Sequence, residues 1–193
     1  MNARVPPGRI VLTGFMCAGK TTVARALAAR LGCAMLDTDE AIIEREGRTV
    51  ASIIDADGEA RFRRLESDAL RDALRAGDAR VIALGGGAWT IEENRALVAA
   101  THDCIAVWLD APFELCWQRI TNAADNTRPL ARERECAHAL YTARRAAYEL
   151  AALRVQVDDE RSAEDTAAEI ASIIGRQNFS DEHEGREGEN THG

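Results

Sequence analysis

The sequence is poor in basic charge, in paired cysteines and in long apolar runs, and each shortage excludes a class of protein. It has no excess of basic residues: 24 Lys and Arg stand against 32 Asp and Glu, a formal net charge of -8. A chain of that sign has no general attraction for nucleic acid or for an anionic membrane, and neither is expected as a partner. Its five cysteines (Cys17, Cys33, Cys104, Cys116 and Cys136) are an odd number with no CxxC spacing. That suggests neither a zinc site nor a disulfide scaffold. No stretch approaches the length of an apolar membrane span. The opening MNARVPPGR lacks the apolar run of a secretory signal, so a reducing cytoplasm is the expected compartment. There is no internal repeat. What remains, 193 residues of which 46% are hydrophobic, suits one compact domain with a tail.

Short apolar runs alternate with segments of helical period. RIVLTG (9–14), CAMLD (33–37), RVIAL (80–84), CIAVWLD (104–110) and RVQVDD (154–159) read as strands. Helices are expected over 21–32, 38–47, 49–77 with a break at Asp57-Gly58, 90–101, 111–120, 136–151 and 162–175. Thr90, followed by Glu93 three positions on, reads as the cap of its helix. Strands apolar throughout imply an α/β fold with a five-stranded parallel sheet covered by helices on both faces. The polar stretch 121–135 reads as a mobile loop, a lid, and the glycine-rich, charged end, 176–193, as a disordered tail. The domain is therefore expected to span 1–175.

GFMCAGKT (14–21) fits G-x-x-x-x-G-K-[ST] between a strand and a helix. Gly14 and Gly19 let the backbone curl so that its N–H groups face an anion, and the following helix adds its positive end. Lys20 can reach the β- and γ-phosphates and the Thr21 hydroxyl can ligate Mg²⁺. Cys17 reads more simply as a small loop residue than as a reactive thiol. No NKxD-like guanine-reading segment is present, which disfavours a GTPase.

The acceptor side and the lid are carried by five further segments. LDTDE (36–40) ends a strand, at the sheet edge where ligands bind in open α/β folds. Of Asp37 and Asp39, two apart and on one side of an extended segment, one can help hold magnesium and the other can orient or deprotonate a hydroxyl. Alternatively, Asp39 is only a cap or first-turn acid. GEARFRRLESD (58–68) clusters Arg61, Arg63 and Arg64, whose forks match a carboxylate, unless they line a solvated helix face. Glu66 is placed to brace Arg63, and Phe62 to wall a pocket. GGGAWT (85–90) follows the third strand and permits close backbone approach, or is a flexible turn. Trp89 reads as packing. Arg128 in the lid can close over phosphates and exclude water. Arg144 and Arg145 offer a second carboxylate contact, or are a surface pair.

In this order, GFMCAGKT, DTDEAI, GEARFRRLE, GGG, RPL and RRAAY resemble the shikimate kinase family of small P-loop kinases, from about Ile10 to Ile174. The resemblance implies a three-layer P-loop kinase fold with a substrate-binding region at about 38–66. The reaction implied is transfer of the ATP γ-phosphoryl to the 3-hydroxyl of shikimate, giving shikimate 3-phosphate and ADP on the route to chorismate and the aromatic amino acids. It assigns ATP to Gly14, Cys17, Ala18, Gly19, Lys20, Thr21, Thr22, Arg119 and Arg128, and Mg²⁺ to Thr21 and Asp37. Asp39, Arg63, Gly86, Gly87 and Arg144 would hold shikimate. Asp39 would be the base, with Lys20 and Arg128 also catalytic and Glu66 orienting the substrate arginine. A monomer is expected. Departures from the family pattern are Cys17 in place of glycine, Ala131 after RPL, Ala146 in place of a proline, Ile54 where an aromatic often stands, and a lid about two residues longer. Two other readings remain: a kinase of the same fold for another polyol acid such as gluconate, and a nucleotide-binding regulatory domain without phosphotransfer.

Overall fold

The computed structural model describes residues 8–122 and 133–187. Five strands form one sheet: β1 (Arg9–Thr13), β2 (Ala34–Asp37), β3 (Ala79–Ala83), β4 (Cys104–Asp110) and β5 (Leu153–Gln156). All pairings are parallel, in the order β2-β3-β1-β4-β5. Val11, Leu12 and Thr13 are each 0% exposed. Successive strand residues point to opposite faces, so both faces of β1 are covered, as the uninterrupted apolar runs require.

The helices are α1 (Lys20–Leu31), α2 (Thr38–Glu46), α3 (Val50–Asp57), α4 (Glu59–Ala76), α5 (Glu92–Ala100), α6 (Phe113–Asn122), α7 (Arg134–Tyr148) and α8 (Ala163–Glu187). Most of the core lies between the sheet and its covering helices. A second, smaller core joins α2, α3 and α4 through Ile42, Ile53, Phe62, Leu65 and Ala69, with Val50 and Ile54 packed against it. Phe62 is thus structural packing rather than a pocket wall. Gly58, at φ 85°, parts α3 from α4 where Asp57-Gly58 was expected to break the helix. Trp89 is buried, as packing demands.

Three expectations fail locally. Thr90 does not cap a helix: Ala88–Thr90 is a 3₁₀ turn, and the Thr90 hydroxyl donates to the Gly87 carbonyl at 2.7 Å. That turn consumes the cap, and α5 starts at Glu92 without a side-chain cap. β5 ends at Gln156, although Val157 N–H still donates to the Asp110 carbonyl. The last helix does not stop at Gly175 but continues through Glu187, into the segment expected to be disordered. Nothing between Ile174 and Glu187 forbids a helix: there is no proline, and a glycine inside a helix costs only about 1 kcal/mol.

Candidate active site

β1, β2 and β3 all end at the same edge of the sheet, and each end carries one of the motifs. In this strand order β1 lies between β3 and β4, the arrangement that opens a crevice beyond the strand ends.

The loop after β1 is held by its own lysine. Lys20 Nζ donates to the Gly14 and Phe15 carbonyls, each at 2.9 Å. Gly14, at φ 140°, packs so tightly on β4 that a Cβ there would stand 2.6 Å from the Leu109 carbonyl. Cys17 has φ 59°, a left-handed conformation otherwise held in this loop by glycine, as at Gly19 with φ 98°. A glycine at position 17 would adopt it without strain. The Cys17 carbonyl accepts from Arg119 Nη1 at 3.3 Å, which sets Arg119 of α6 over the loop.

A cavity of about 430 Å³ lies over this loop. Cys17, Ala18, Gly19, Lys20, Thr21, Thr22, Asp37, Asp39, Gly86 and Arg119 line it; Gly14 sits at the loop's foot instead. The cavity also takes in Arg161, Ser162 and Thr166 beyond β5, which the sequence reading passed over. The signal was available: in a parallel sheet the segment after every strand reaches the same edge. Asp37 and Asp39 differ in setting. Asp37 ends β2 and caps α2, one oxygen accepting from Asp39 N–H at 2.9 Å and the other from the Thr21 hydroxyl at 2.6 Å. Asp39 lies in the first turn of α2, so the two do not share an extended segment, yet both face the cavity.

The glycine triplet is the meeting point. A Cβ on Gly85 would overlap Glu66 Oε1 and stand 2.6 Å from Asp39 Oδ1. One on Gly87 would overlap the Arg63 guanidinium, and one on Gly86 would stand 3.2 Å from Met16 N of the phosphate loop. Arg63, on α4, is gripped by Glu59 and by Glu66, which accepts from Nη1 at 2.5 Å. Glu66 is 1% exposed. Burial pushes its carboxyl up to about 7; Arg63 pulls it down and Asp39 pushes it further up. Burial pulls the Arg63 guanidinium down, but the two glutamates outweigh that and raise it. Thr38, between the two aspartates, is buried and accepts from Gly85 N–H at 2.9 Å.

From the other side, α7 delivers Arg144. It is 7% exposed, and its Nη1 donates to the Gly86 carbonyl at 3.2 Å. Arg145 turns away, to Asp110 at 3.0 Å. The pair is therefore divided: one arginine at the site and one structural. Tyr148, the last residue of the RRAAY motif, donates to the Gly86 carbonyl at 2.5 Å. Arg128 lies outside the described residues. Among the described residues no group of three or more His, Cys, Asp or Glu could hold a metal ion by itself, all five cysteines are free, and no helix is long and apolar enough to cross a membrane.

Comparison with known proteins agrees with this arrangement. The family model described as shikimate kinase matches residues 16–175. A shikimate kinase of Salinibacter ruber is 37% identical over 187 residues, covering 91% of this chain and 89% of the relative. One of Symbiobacterium thermophilum is 43% identical over 164 residues, covering 83% and 92%. The solved shikimate kinase of Acinetobacter baumannii in complex with shikimate superposes with a TM-score of 0.82 at 34% identity, covering 91% of this chain and 97% of the other. With motif order, sheet order and likeness over nearly the whole length in agreement, the chain belongs to the shikimate kinase family.

Proposed function

We propose that the protein phosphorylates the 3-hydroxyl of shikimate with ATP, giving shikimate 3-phosphate and ADP for chorismate and aromatic amino acid biosynthesis. The observation that carries this reading is the glycine triplet, around which a phosphate loop, an aspartate and two arginines from separate helices converge. One charged fork at each side of a hydroxyl-facing acid suits an acceptor that is both an alcohol and a carboxylate. A solved relative is described as a complex with shikimate.

In this reading the loop N–H groups and the start of α1 receive the ATP phosphates. Lys20 exchanges the Gly14 and Phe15 carbonyls for phosphate oxygens. Thr21 and Asp37 already stand as an adjacent pair of hard oxygens, a donor set that fits Mg²⁺ held partly by phosphate and water. Magnesium, when bound, neutralises charge on the transferring group. Arg119 covers the nucleotide side, and Arg128 belongs to the lid. Arg63 and Arg144 hold the acceptor's carboxylate, Gly86 and Gly87 admit it, and Asp39 accepts the proton of the attacking hydroxyl. A monomer working in the cytoplasm completes the reading and rests on the sequence alone.

ADP release coupled to a dehydrogenase, run with shikimate, gluconate, quinate and nucleoside monophosphates in turn, tests it. Strong release with shikimate alone is the expected result. Release with gluconate and none with shikimate would overturn the acceptor assignment; release with none of them would favour a binding domain.

A further inference from the structure

We infer that Tyr148 is a positioning residue for acceptor recognition: its hydroxyl holds the Gly86 carbonyl on which the inner edge of the Arg144 guanidinium rests, so that the outer edge meets the acceptor's carboxylate. The inference rests on the proposed role of Arg144 and names a residue that role does not include.

The contact geometry carries it. Tyr148 is the last residue of α7, one turn beyond Arg144 on the same face. It is 1% exposed, and its hydroxyl donates to the Gly86 carbonyl at 2.5 Å. Arg144 Nη1 donates to the same carbonyl at 3.2 Å, so the hydroxyl and the guanidinium share one acceptor. Three groups thus close on one another: guanidinium, phenol and carbonyl. A guanidinium has five N–H donors in a rigid fork. Satisfying part of that fork from behind leaves the rest directed at whatever enters beside Gly86. Burial raises the phenol to about 12, against a smaller pull from Arg144, so it remains a donor throughout the working pH range.

Tyr148 is itself fixed. Its ring stacks on Trp108 of β4, with centroids 6.1 Å apart. The guanidiniums of Arg145 and Arg154 each lie 4.9 Å from the Trp108 ring centroid. Asp110 ties both down, Arg145 at 3.0 Å and Arg154 at 2.5 Å. The end of α7 is therefore anchored to β4 and β5 independently of the ligand. Arg144 is then organised before the acceptor arrives, and the cost of ordering a long side chain is not charged to binding.

The experiment is Tyr148→Phe, which keeps the ring on Trp108 and removes only the hydroxyl that holds the Gly86 carbonyl under Arg144. The melting temperature should stay within a few degrees of wild type. The shikimate KM should rise about fivefold, the effect of losing one hydrogen bond to a neutral carbonyl. Turnover and the ATP KM should change by less than about twofold. With the neutral methyl ester of shikimate as acceptor, the penalty should disappear. In an Arg144→Ala background, Tyr148→Phe should add nothing further, since no guanidinium remains to be held. An unchanged shikimate KM would overturn the inference. So would an equal loss with acid and ester, or a loss in turnover and ATP KM together with a lowered melting temperature, which would mark Tyr148 as packing only. If the wild-type protein shows no shikimate-dependent ADP release, it is the proposed function that fails, and the two failures are thereby distinguished.

Discussion

Arg63→Ala should damage the protein in two separable ways, and one of them depends on pH. Arg63 donates to Glu66 at 2.5 Å, and the Glu66 side chain is 1% exposed. Burial has already lifted that carboxyl from 4.5 to about 7, with Arg63 opposing the shift. A carboxyl whose folded value lies above its unfolded value favours the folded state below the unfolded value. That contribution is lost as pH rises toward the folded value and is level beyond it. Removing Arg63 deletes the largest opposing influence, so the folded value climbs above 7. At about pH 6 both proteins keep Glu66 protonated, and its pairing contributes no difference between them. At about pH 8 the wild type holds an ionised pair, whereas the variant must keep the proton or bury a bare carboxylate. One pH unit above the wild-type value corresponds to about 1.4 kcal/mol of extra destabilisation. The Arg63–Glu59 pair is more exposed and adds little at either pH. Urea unfolding of both proteins at the two pH values measures the difference. The same variant should lose roughly 30-fold or more in shikimate use, because the acceptor's charge is left unpaired, with ATP binding little changed. A stability loss equal at both pH values would refute the coupling to Glu66. Unchanged shikimate kinetics would refute the clamp.

Other perturbations test neighbouring parts. Lys20→Ala should cut turnover by about 100-fold or more; because Lys20 also bonds the Gly14 and Phe15 carbonyls, the melting temperature should fall slightly, and near-wild-type turnover in folded protein would contradict the phosphate-loop role. Asp39→Asn should lower turnover more than it raises the shikimate KM, since shape is kept and the proton acceptor is lost; steady-state kinetics with each substrate varied separates the two. Cys17→Gly should raise stability by a net of about 0.5 kcal/mol, as relief of a left-handed φ of 59° slightly exceeds the added chain entropy of glycine; denaturant midpoints decide it. Ending the chain after Arg176 should leave melting temperature and turnover unchanged, because Ala167, Ile170 and Ile174 already bury the packing face of α8; a large loss of either would show that the final turns serve the fold or the site.

Strand identity was legible because burial on both faces writes itself as an unbroken apolar run, and Val11, Leu12, Val81, Ile82, Val107 and Leu109 are all 0% exposed. Helix ends were less so, because they depend on which of several competing partners a side chain finds. Thr90 has cap chemistry, yet its hydroxyl goes to Gly87. Gly175 has stop chemistry, yet a helical glycine with no Cβ contact costs α8 little. Composition at 176–193 is poor in apolar residues, which does not by itself stop a helix begun at Ala163 from propagating to Glu187.

At the site, residue types were legible and their partners were not. Charge at a strand end and in two arginine clusters marked Asp37, Asp39, Arg63 and Arg144 as candidates, and the resemblance chose among the alternatives. Which oxygen caps α2, which arginine of the 144–145 pair turns inward, and that Tyr148 shares the Gly86 carbonyl with Arg144 are decided by three-dimensional approach alone. The glycine triplet shows why. Gly85 makes room for two carboxylates, Gly86 for the phosphate loop and Gly87 for a guanidinium. In the sequence these are three identical letters, consistent with a flexible turn. In the fold, each lets a different group come within contact of the backbone. An alanine at any one of them would displace a specific partner: the acids from 85, the phosphate loop from 86, the Arg63 guanidinium from 87. The triplet therefore works less as a hinge than as the surface against which the phosphate loop, Asp39, Glu66 and Arg63 are set to a common distance.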